Sequence, residues 1–280
     1  MMHVEKMNSD DFPFAVQLAN TMNWNMTMED FEFIMKLEPE GCFVLFSGAE
    51  RLGICTTISL GNLGWIGNLI VKEVYRKKGA GSLLLKQAIA YLRSKQVATI
   101  GLYAYPYLTS FYAGFGFRSD IEFLVLQGNV AASPTEDATV RQAENSDIQK
   151  IIEFDRQCLG ADRQKLLEAI ILQSKNLCYI LPRNNEISGY VAAKVYGADA
   201  EMGPLVCLAN HVEAAEKLLK TVLSSLSGFG VSVCLPKKEV ELLDLLHAAG
   251  FREKFRVVRM FLGSAVAKNC IYIAESLERG

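Results

Sequence analysis

Apolar strand patterns alternate with amphipathic helix patterns along this chain. The central example is the apolar run at residues 65–71, which predicts a buried strand. A basic loop with two glycines follows, and residues 82–92 then carry apolar side chains at helical spacing. A further short strand is predicted at residues 99–104. The order of these segments predicts a strand, a loop, a helix and a second strand.

The loop between this strand and this helix has the properties of a phosphate-binding site. The first N–H groups of a helix have no partner within the helix and carry a partial positive charge. Gly79 and Gly81 remove side chains that would block an anion, and they allow the backbone angles of a tight turn. Arg76, Lys77 and Lys78 add formal positive charge. We therefore predict a pyrophosphate site here; the alternative is a solvated basic turn that happens to contain glycines.

The spacing of this loop differs from the two commonest phosphate loops. The chain has no G-x-x-x-x-G-K-[ST] run, which disfavours a nucleoside-triphosphatase, and no G-x-G-x-x-G with the later acidic residue of a dinucleotide fold. Instead, V-x-x-x-x-R-x-x-G-x-G at residues 71–81 precedes a helix, a strand and F-Y-x-x-x-G-F at residues 111–117. This order resembles the GNAT superfamily of acetyl-CoA dependent N-acetyltransferases.

The resemblance implies that acetyl-CoA lies in a V-shaped gap beside the central strand. The backbone of Leu69 and Val71 would pair with the pantetheine and the acetyl carbonyl, where an N–H would polarise the thioester oxygen. The amine would attack directly, since no Ser or Cys stands in a nucleophile motif, and no metal is expected. The residues that the resemblance assigns to the coenzyme are Leu69, Ile70, Val71, Arg76, Lys77, Lys78, Gly79, Ala80, Gly81 and Ser82.

Tyr112 stands where the family has its general acid, which protonates the departing thiolate. A phenol suits this role because its ordinary pKa of about 10 is close to that of an alkyl thiol. The alternative is an aromatic ring that packs on the coenzyme or on the sheet, as we expect for Phe111, Phe115 and Phe117. The sequence therefore predicts a catalytic role for Tyr112 and leaves the general base open.

The acceptor site is expected in the loop between the first two helices. Trp24 and Asn25 are candidate acceptor-binding residues, although a tryptophan that joins two helices can equally belong to the core. Thr27 or Asn25 would cap the second helix. Glu122, on a late strand, could point into the cleft or could be a solvated surface charge. A small-molecule amine, a protein N-terminus or a lysine would all fit as acceptor.

The chain repeats itself at an offset of about 136 residues. Gly53 and Gly189 occupy matching places, and a small polar segment with one proline separates the two copies. We therefore predict two tandem GNAT-like domains at residues 1–130 and 138–280, joined by a linker at residues 131–137. Each domain would be α/β (α+β), with a mixed, mostly antiparallel twisted sheet flanked by helices.

The second copy is degenerate in its coenzyme loop. Once a two-residue deletion is allowed for, Glu213 matches Gly79 and Glu216 matches Ser82. Carboxylates at these places would repel a pyrophosphate, because like charges about 4 Å apart interact by roughly 1–4 kcal/mol in wet surroundings. We therefore expect only the first copy to bind the coenzyme.

Two further motifs extend the resemblance over nearly the whole chain. W-N at residues 24–25 and F-D-R-x-x-x-G-x-x-R at residues 154–163 resemble bacterial and archaeal tandem GNAT proteins. The charged residues of the second motif could reach towards the first cleft, or could form ion pairs within their own domain. The Y-A-Y-P ending at residues 103–106 departs from the family's pattern, which bears on acceptor selectivity.

Composition sets the remaining expectations. Half of the residues are hydrophobic, 21% are charged and the formal net charge is −2, so nothing indicates a nucleic-acid partner. Apolar runs are far shorter than a membrane span, and no signal-peptide pattern is present. The seven cysteines include no C-x-x-C pair, which disfavours structural zinc and a disulfide framework and favours the cytoplasm. A monomer or a homodimer is expected.

The resemblance implies an acyltransferase that moves an acetyl group from acetyl-CoA to a primary amine. Two alternatives stay open. The protein could be a regulatory pseudo-enzyme that binds acetyl-CoA without turnover, or it could transfer a longer acyl group. The second alternative would need a deep apolar tunnel beside Val71.

Overall fold

The computed structural model of the chain describes residues 1–130, 137–184, 186–266 and 270–280. Packing divides them into two compact units, Met1–Leu102 with Arg279, and Tyr103–Glu278 with Gly280. The predicted linker at residues 131–137 lies outside the described residues except for its last position. None of the helices described in these ranges has the length and apolar character needed to cross a membrane.

The first unit contains five strands and three helices. The strands are β1 (Met2–Lys6), β2 (Cys42–Ser47), β3 (Glu50–Leu60), β4 (Leu63–Val71) and β5 (Thr99–Ala104), of which the last two residues of β5 belong to the second unit. The helices are α1 (Phe12–Asn20), α2 (Met28–Leu37) and α3 (Ala80–Ser94). The strands lie side by side in sequence order, and all neighbours are antiparallel except the parallel pair β4 and β5.

Helix α3 covers one face of this sheet because its apolar residues recur with the helical period. Leu84, Leu85, Ala88 and Leu92 are all fully buried. A Cβ on Gly53 of β3 would lie 3.1 Å from the side chain of Leu84, so position 53 faces α3. Each buried leucine contributes roughly 1.5–3 kcal/mol through removal from water. Helices α1 and α2 contact β3 as well, and α1 also contacts β4.

The second unit contains the remaining elements. Its helices are α4 (Thr109–Ala113), α5 (Ile148–Leu159), α6 (Gln164–Ile171), α7 (Val212–Ser225) and α8 (Val240–Ala248). Its strands are β6 (Arg118–Asn129), β7 (Arg141–Gln142), β8 (Leu177–Arg183), β9 (Glu186–Tyr196), β10 (Asp199–Leu208), β11 (Gly230–Pro236), β12 (Arg252–Leu262) and β13 (Cys270–Ile273). They form a sheet in the order β12-β6-β11-β10-β9-β8-β7, and β13 pairs with β10.

The order of elements confirms the predicted fold class and shows the repeat. The run from β1 through α1, α2, β2, β3, β4 and α3 is matched by β7, α5, α6, β8, β9, β10 and α7. The predicted domain division at residue 130 follows this repeat. The packing boundary falls earlier, after Leu102, because β6 pairs with β11 on one side and with β12 on the other.

A buried aspartate closes the first turn at the start of each copy. The Asp11 carboxylate accepts a hydrogen bond of 2.9 Å from the backbone N–H of Asn8, and Asp147 accepts one of 2.9 Å from that of Glu144. Each carboxylate also binds an arginine at 2.7 Å. Asp11 and Asp147, which occupy matching places at the repeat offset, therefore have a structural role, since a short acidic side chain can satisfy the N–H groups that a helix start leaves unpaired.

An ion pair inside the second unit accounts for the F-D-R-x-x-x-G-x-x-R motif. The Arg163 guanidinium donates two hydrogen bonds to the Asp155 carboxylate, at 2.7 and 3.0 Å, and both side chains are at most 2% exposed. Tyr190 donates to the same carboxylate, and Arg163 donates to the Tyr272 hydroxyl at 3.1 Å. Burial, followed by the Asp155 charge, raises the pKa of the Tyr190 phenol. Asp155 and Arg163 therefore pair within their own unit.

Replacing one partner of this pair should strongly destabilise the protein. We expect Arg163→Met to lower the free energy of unfolding by roughly 3–5 kcal/mol, because it leaves the Asp155 carboxylate buried without its counter-ion. Arg156→Met is the matched control, since Arg156 pairs with Asp162 at 3.2 Å where both side chains are about half exposed. The control should cost less than about 1 kcal/mol. Urea unfolding measures both; equal losses for the two variants would show that the buried pair has no special weight.

Candidate functional site

The end of β4 presents main-chain groups to the edge that faces away from β3. The Lys72 N–H donates to the Leu52 carbonyl of β3 at 2.8 Å. Strand residues alternate in direction, so Ile70 also turns its main chain towards β3, whereas Leu69 and Val71 turn theirs to the opposite edge. Of the three residues that the sequence assigned to the coenzyme here, Leu69 and Val71 therefore offer amide N–H groups to a ligand, and Ile70 does not.

Strand β4 is paired with β5 only at its beginning. The parallel ladder joins Leu63 with Thr99, Gly64 with Ile100 and Trp65 with Gly101, and in the described residues it ends there. Strand β4 continues for six more residues, to Val71. The β5-facing edge of this later half is thus the one on which an extended ligand could pair with the strand.

A 3-10 turn at Glu73–Tyr75 leads from β4 into the basic loop and is fixed by a carboxylate. Glu50 accepts hydrogen bonds from the Tyr75 hydroxyl at 2.7 Å and from the Lys72 ammonium at 2.9 Å. The bond from Tyr75 and then that from Lys72 lower the pKa of Glu50. This triad holds the strand end and the turn together, so the loop that follows starts from a fixed point.

The basic loop is exposed and ends in an uncapped helix. Arg76, Lys77, Lys78 and Gly79 are all exposed. Lys77 and Gly79 have left-handed backbone angles, with φ of +59° and +85°, and Gly79 precedes α3. No side chain caps this helix, and its first turn carries no acidic residue. The helix begins at Ala80, two residues before the predicted start.

Arg76 makes structural contacts at the start of the loop. Its Nε–H donates to the Val71 carbonyl at 3.0 Å, and one of its terminal nitrogens lies 3.6 Å from the Met22 sulfur. The side chain therefore fastens the loop to the end of β4. Lys78 lies over the Tyr75 ring, with 5.9 Å from its nitrogen to the ring centre.

These features fit the coenzyme that the sequence predicts. A diphosphate needs N–H donors and positive charge, and the start of α3, whose first turn has no acidic residue, provides them together with the loop. An extended amide-containing arm needs a strand edge with outward main-chain groups, and Leu69 and Val71 provide it. The residues present are therefore compatible with coenzyme A.

The loop between α1 and α2 is held in a defined shape by Asn20. Its amide donates to the Met26 carbonyl at 3.0 Å and accepts from the Met26 N–H at 2.8 Å. Within this loop Trp24 is half-buried and Asn25 is exposed. Asn23 and Asn25, on either side of Trp24, both have positive φ, at 57° and 53°. Asparagine tolerates left-handed angles better than most residues, so these angles are compatible with both the binding and the core interpretation of Trp24.

The predicted cap of α2 is confirmed at Thr27. The Asp30 carboxylate accepts the Thr27 N–H at 2.8 Å and the Thr27 hydroxyl at 2.9 Å. Asn25, the other candidate, lies outside the cap.

Tyr112 lies on the short helix α4 among aromatic rings. Its side chain is 6% exposed, and its ring meets those of Phe111 and Phe117 edge-on, with centroids 5.0 and 6.1 Å apart. Gly116 has a φ of +89°, which explains the glycine of the F-Y-x-x-x-G-F motif. The aromatic packing that the sequence predicts for the neighbouring phenylalanines is therefore present around Tyr112.

Glu122 is already engaged by two cations. Its carboxylate lies 3.1 Å from the Lys237 nitrogen and 3.5 Å from an Arg256 nitrogen, and its carbonyl accepts the Lys237 N–H at 2.9 Å. A carboxylate held in this way is a weak candidate for binding an acceptor. The structure thus favours the surface-charge interpretation of Glu122.

The cysteines show no sign of a nucleophile. Burial raises the pKa of Cys42 to about 12, and burial also raises that of Cys55, so both thiols stay protonated at neutral pH. All seven cysteines are free. Among the residues that the structure describes, no cluster of histidine, cysteine and carboxylate side chains is arranged to hold a metal ion.

The corresponding strand of the second copy is covered by the chain itself. Strand β10 pairs with β11 over residues 199–202, and from Leu205 to Leu208 it pairs with β13 instead. A Cβ on Gly203 would lie only 1.9 Å from the Ala274 carbonyl oxygen, so the chain after β13 runs directly against this strand. Sequence reasoning missed this arrangement, because no pattern in residues 270–274 distinguishes a strand of this position from any other.

Asn68 is a further feature that sequence reasoning missed. It lies in β4 with a φ of +48°, at the place where the register between β3 and β4 shifts, and it is 6% exposed. An asparagine inside an apolar strand was the available signal, since Asn tolerates left-handed angles better than most residues.

Two family profiles match the chain. Residues 4–117 match the profile described as acetyltransferase (GNAT) family, and residues 151–272 match the one described as acetyltransferase (GNAT) domain. The chain therefore belongs to the GNAT acetyltransferases, as a tandem member with one such domain in each half of its sequence. This confirms the resemblance and places the chain among acyltransferases.

Solved structures share the fold over almost the whole chain. A protein of Pyrococcus horikoshii described as a candidate acetyltransferase has a TM-score of 0.83 at 23% identity, covering 100% of this chain and 96% of its own. A GCN5-related N-acetyltransferase from Sphaerobacter thermophilus has a TM-score of 0.67 at 12% identity, covering 95% and 98%. A tandem GNAT protein from the clavulanic acid biosynthesis pathway has a TM-score of 0.63 at 14% identity, covering 95% and 99%. Curated proteins gave no match.

Proposed function

We propose that this protein is an acetyl-CoA dependent N-acetyltransferase whose acceptor is a primary amine. The observation that carries the proposal is the exposed basic loop, which joins the outward main-chain edge of β4 to a helix start without a cap or an acid. A site of this kind suits a ligand with a diphosphate at one end and an amide-rich arm at the other. The family membership restricts the chemistry to acyl transfer.

The coenzyme would be held by one short stretch of the first unit. The N–H groups of Ala80, Gly81 and Ser82 at the helix start would bind its phosphates, and Lys77 and Lys78 would add positive charge. The N–H groups of Leu69 and Val71 would bind its extended arm. When bound, acetyl-CoA supplies an activated acetyl thioester.

The chain's own groups would contribute to the reaction in two ways. An N–H of β4 would stabilise the negative charge that develops on the carbonyl oxygen when the amine attacks, as in other oxyanion sites. Tyr112 would be the acid that gives a proton to the leaving sulfur. The acceptor amine would attack without an enzyme nucleophile, in keeping with the raised thiol pKa values of Cys42 and Cys55.

The second copy would serve the fold and not the coenzyme. Glu213 stands in the first turn of α7, where the first copy has no acid, and β13 pairs with the strand edge that an extended ligand would use. We retain the domain division at residues 1–130 and 138–280 as part of this proposal, with one coenzyme per chain. The free thiols suit a reducing compartment, and on that ground the cytoplasm remains our proposed location.

A library of primary amines tests the proposed function. Incubation with acetyl-CoA should release free coenzyme thiol in the presence of at least one class of amine, among polyamines, amino sugars, amino acid amides and peptide N-termini. Tight acetyl-CoA binding with no thiol release from any amine would support the regulatory pseudo-enzyme instead. Release only from longer acyl-CoA thioesters would support the longer-chain alternative.

A further inference from the structure

Asn68 places a carboxamide where β4 changes register. Thr56 of β3 faces Gly67, and Ile54 faces Ile70, so the two residues between Gly67 and Ile70 stand opposite Cys55 alone. This is a β-bulge, and bulges of this kind re-aim a side chain beside a site. The bulge lies beyond Trp65, in the half of β4 that is no longer paired with β5.

One of the two polar atoms of this carboxamide is bonded and the other is not. The amide nitrogen donates to the Thr56 hydroxyl at 3.2 Å. The side-chain oxygen is buried, and in the described part of the chain it meets no hydrogen-bond donor. An unsatisfied buried polar atom costs about 1–3 kcal/mol, so its presence calls for an explanation.

The carboxamide lies on the face of the sheet opposite α3. Gly53 faces α3, and Thr56 is three residues further along β3, so its hydroxyl is on the other face. Because Asn68 bonds that hydroxyl, its side chain is on the same face. Helix α1 contacts both β3 and β4, and the loop containing Trp24 joins α1 to α2. Gly67, which pairs with Thr56, adds no side chain there.

Cations lie against both helices: the Lys72 nitrogen is 5.5 Å from the centre of the Phe14 ring on α1, and the Arg279 guanidinium is 5.1 Å from that of Phe33 on α2. Helix α1 contains no charged residue. On α2, Glu29, Glu32 and Lys36 are exposed, and Asp30 is bonded to Thr27. Asn68 itself offers a neutral hydrogen-bond acceptor.

We infer that the Asn68 side-chain oxygen receives an N–H of the acceptor amine, which makes Asn68 an acceptor-binding residue of the first copy. A carbonyl oxygen accepts the N–H of a neutral amine and leaves its lone pair available for attack. A carboxylate at the same place would favour the protonated ammonium, which has no lone pair. The inference rests on the proposed function and adds the requirement that the amine enters from the face of the sheet opposite α3.

The second copy agrees with this assignment. At the repeat offset, Gly203 matches Gly67 and Pro204 matches Asn68, so the carboxamide is replaced by a ring without a hydrogen-bonding side chain. The chain's own Ala274 lies against that strand. A copy that has lost its ligand edge has also lost the residue that we assign to the acceptor.

Asn68→Gly tests the inference, because glycine accepts the left-handed backbone angle and removes only the carboxamide. With the best amine from the library as probe, we expect its KM to rise about tenfold, the size of one lost buried hydrogen bond. The dissociation constant for acetyl-CoA should stay within about twofold. Asn184→Gly is the matched control, since Asn184 also has a positive φ of 50° but lies in an exposed turn of the second unit.

Asn68→Asp adds a readout that a merely structural role would not change. The carboxylate should raise the pKa of the bound amine, so that the rise of kcat with pH moves upward by about 1–2 pH units. An unchanged amine KM in Asn68→Gly together with an unshifted profile in Asn68→Asp would overturn the inference and leave water as the partner of the oxygen. If the wild-type protein turns over no amine, the proposed function fails instead, which is a separate outcome.

Discussion

Gly81→Glu should abolish acetyl-CoA binding. Isothermal titration should find one acetyl-CoA per wild-type chain and an affinity at least about 100-fold lower in the variant. The physical reason is that a carboxylate in the first turn of α3 would face the two phosphates of the coenzyme. It would repel each of them by roughly 1–4 kcal/mol. The substitution imitates the second copy, whose helix α7 carries Glu213 in its first turn.

The same change should not harm the fold. An acidic residue near a helix N-terminus is favourable by about 0.3–1 kcal/mol, so the thermal midpoint of Gly81→Glu should stay the same or rise. Loss of binding with an intact midpoint therefore assigns the effect to the ligand. Gln87→Glu adds the same charge at an exposed position further along α3 and should bind normally. Glu213→Ala should have no effect on binding; weaker binding in that variant, or two molecules per wild-type chain, would contradict a single site in the first copy.

Tyr112→Phe should lower kcat by about 100-fold while leaving acetyl-CoA affinity nearly unchanged. General acids contribute about 10²- to 10⁴-fold to proton-transfer steps, and phenylalanine removes the proton donor while keeping the ring. The ring contacts with Phe111 and Phe117 should persist, since they involve the aromatic faces and edges and not the hydroxyl. Steady-state kinetics with an amine from the library, together with titration of acetyl-CoA, separates the two effects.

Tyr107→Phe is the control for this experiment. Tyr107 is 71% exposed and stacks on Tyr105, with ring centres 5.5 Å apart, so it provides a tyrosine hydroxyl from the same stretch of chain without the burial of Tyr112. Its kcat should match that of the wild type. An unchanged kcat in Tyr112→Phe would remove Tyr112 from the mechanism and leave it with the packing role that its phenylalanine neighbours have.

Local sequence patterns predicted the elements of the first copy well. Strand β5 has the bounds that the pattern gave, and Thr27 caps α2 with Asp30 as partner. Helix α3 begins two residues earlier than predicted, because Gly79 takes a left-handed angle and ends the loop before Ala80. These features depend on contacts between residues close together in sequence, which a pattern can capture.

Local sequence patterns could not predict side-chain contacts between distant segments of the chain. Glu122 was a candidate for the acceptor site, but Lys237 and Arg256 pair with its carboxylate. Their positions in sequence gave no reason to expect that they would meet it. The unmatched oxygen of Asn68 likewise depends on the register of β3 and β4, because a shift of one residue would turn it away from Thr56.

The sequence by itself determined the repeated α/β architecture, the basic glycine loop ahead of α3 and the loss of that loop's charge pattern in the second copy. These follow from periodicity, turn residues and charge, which act over a few residues. Only the tertiary structure decided that β13 lies on β10, that β6 pairs with strands of the second copy, and that Asn68 keeps a buried oxygen with no donor among the described residues. The reason is that strand pairing and burial join residues far apart along the chain, and their partners are fixed only when the whole sheet forms.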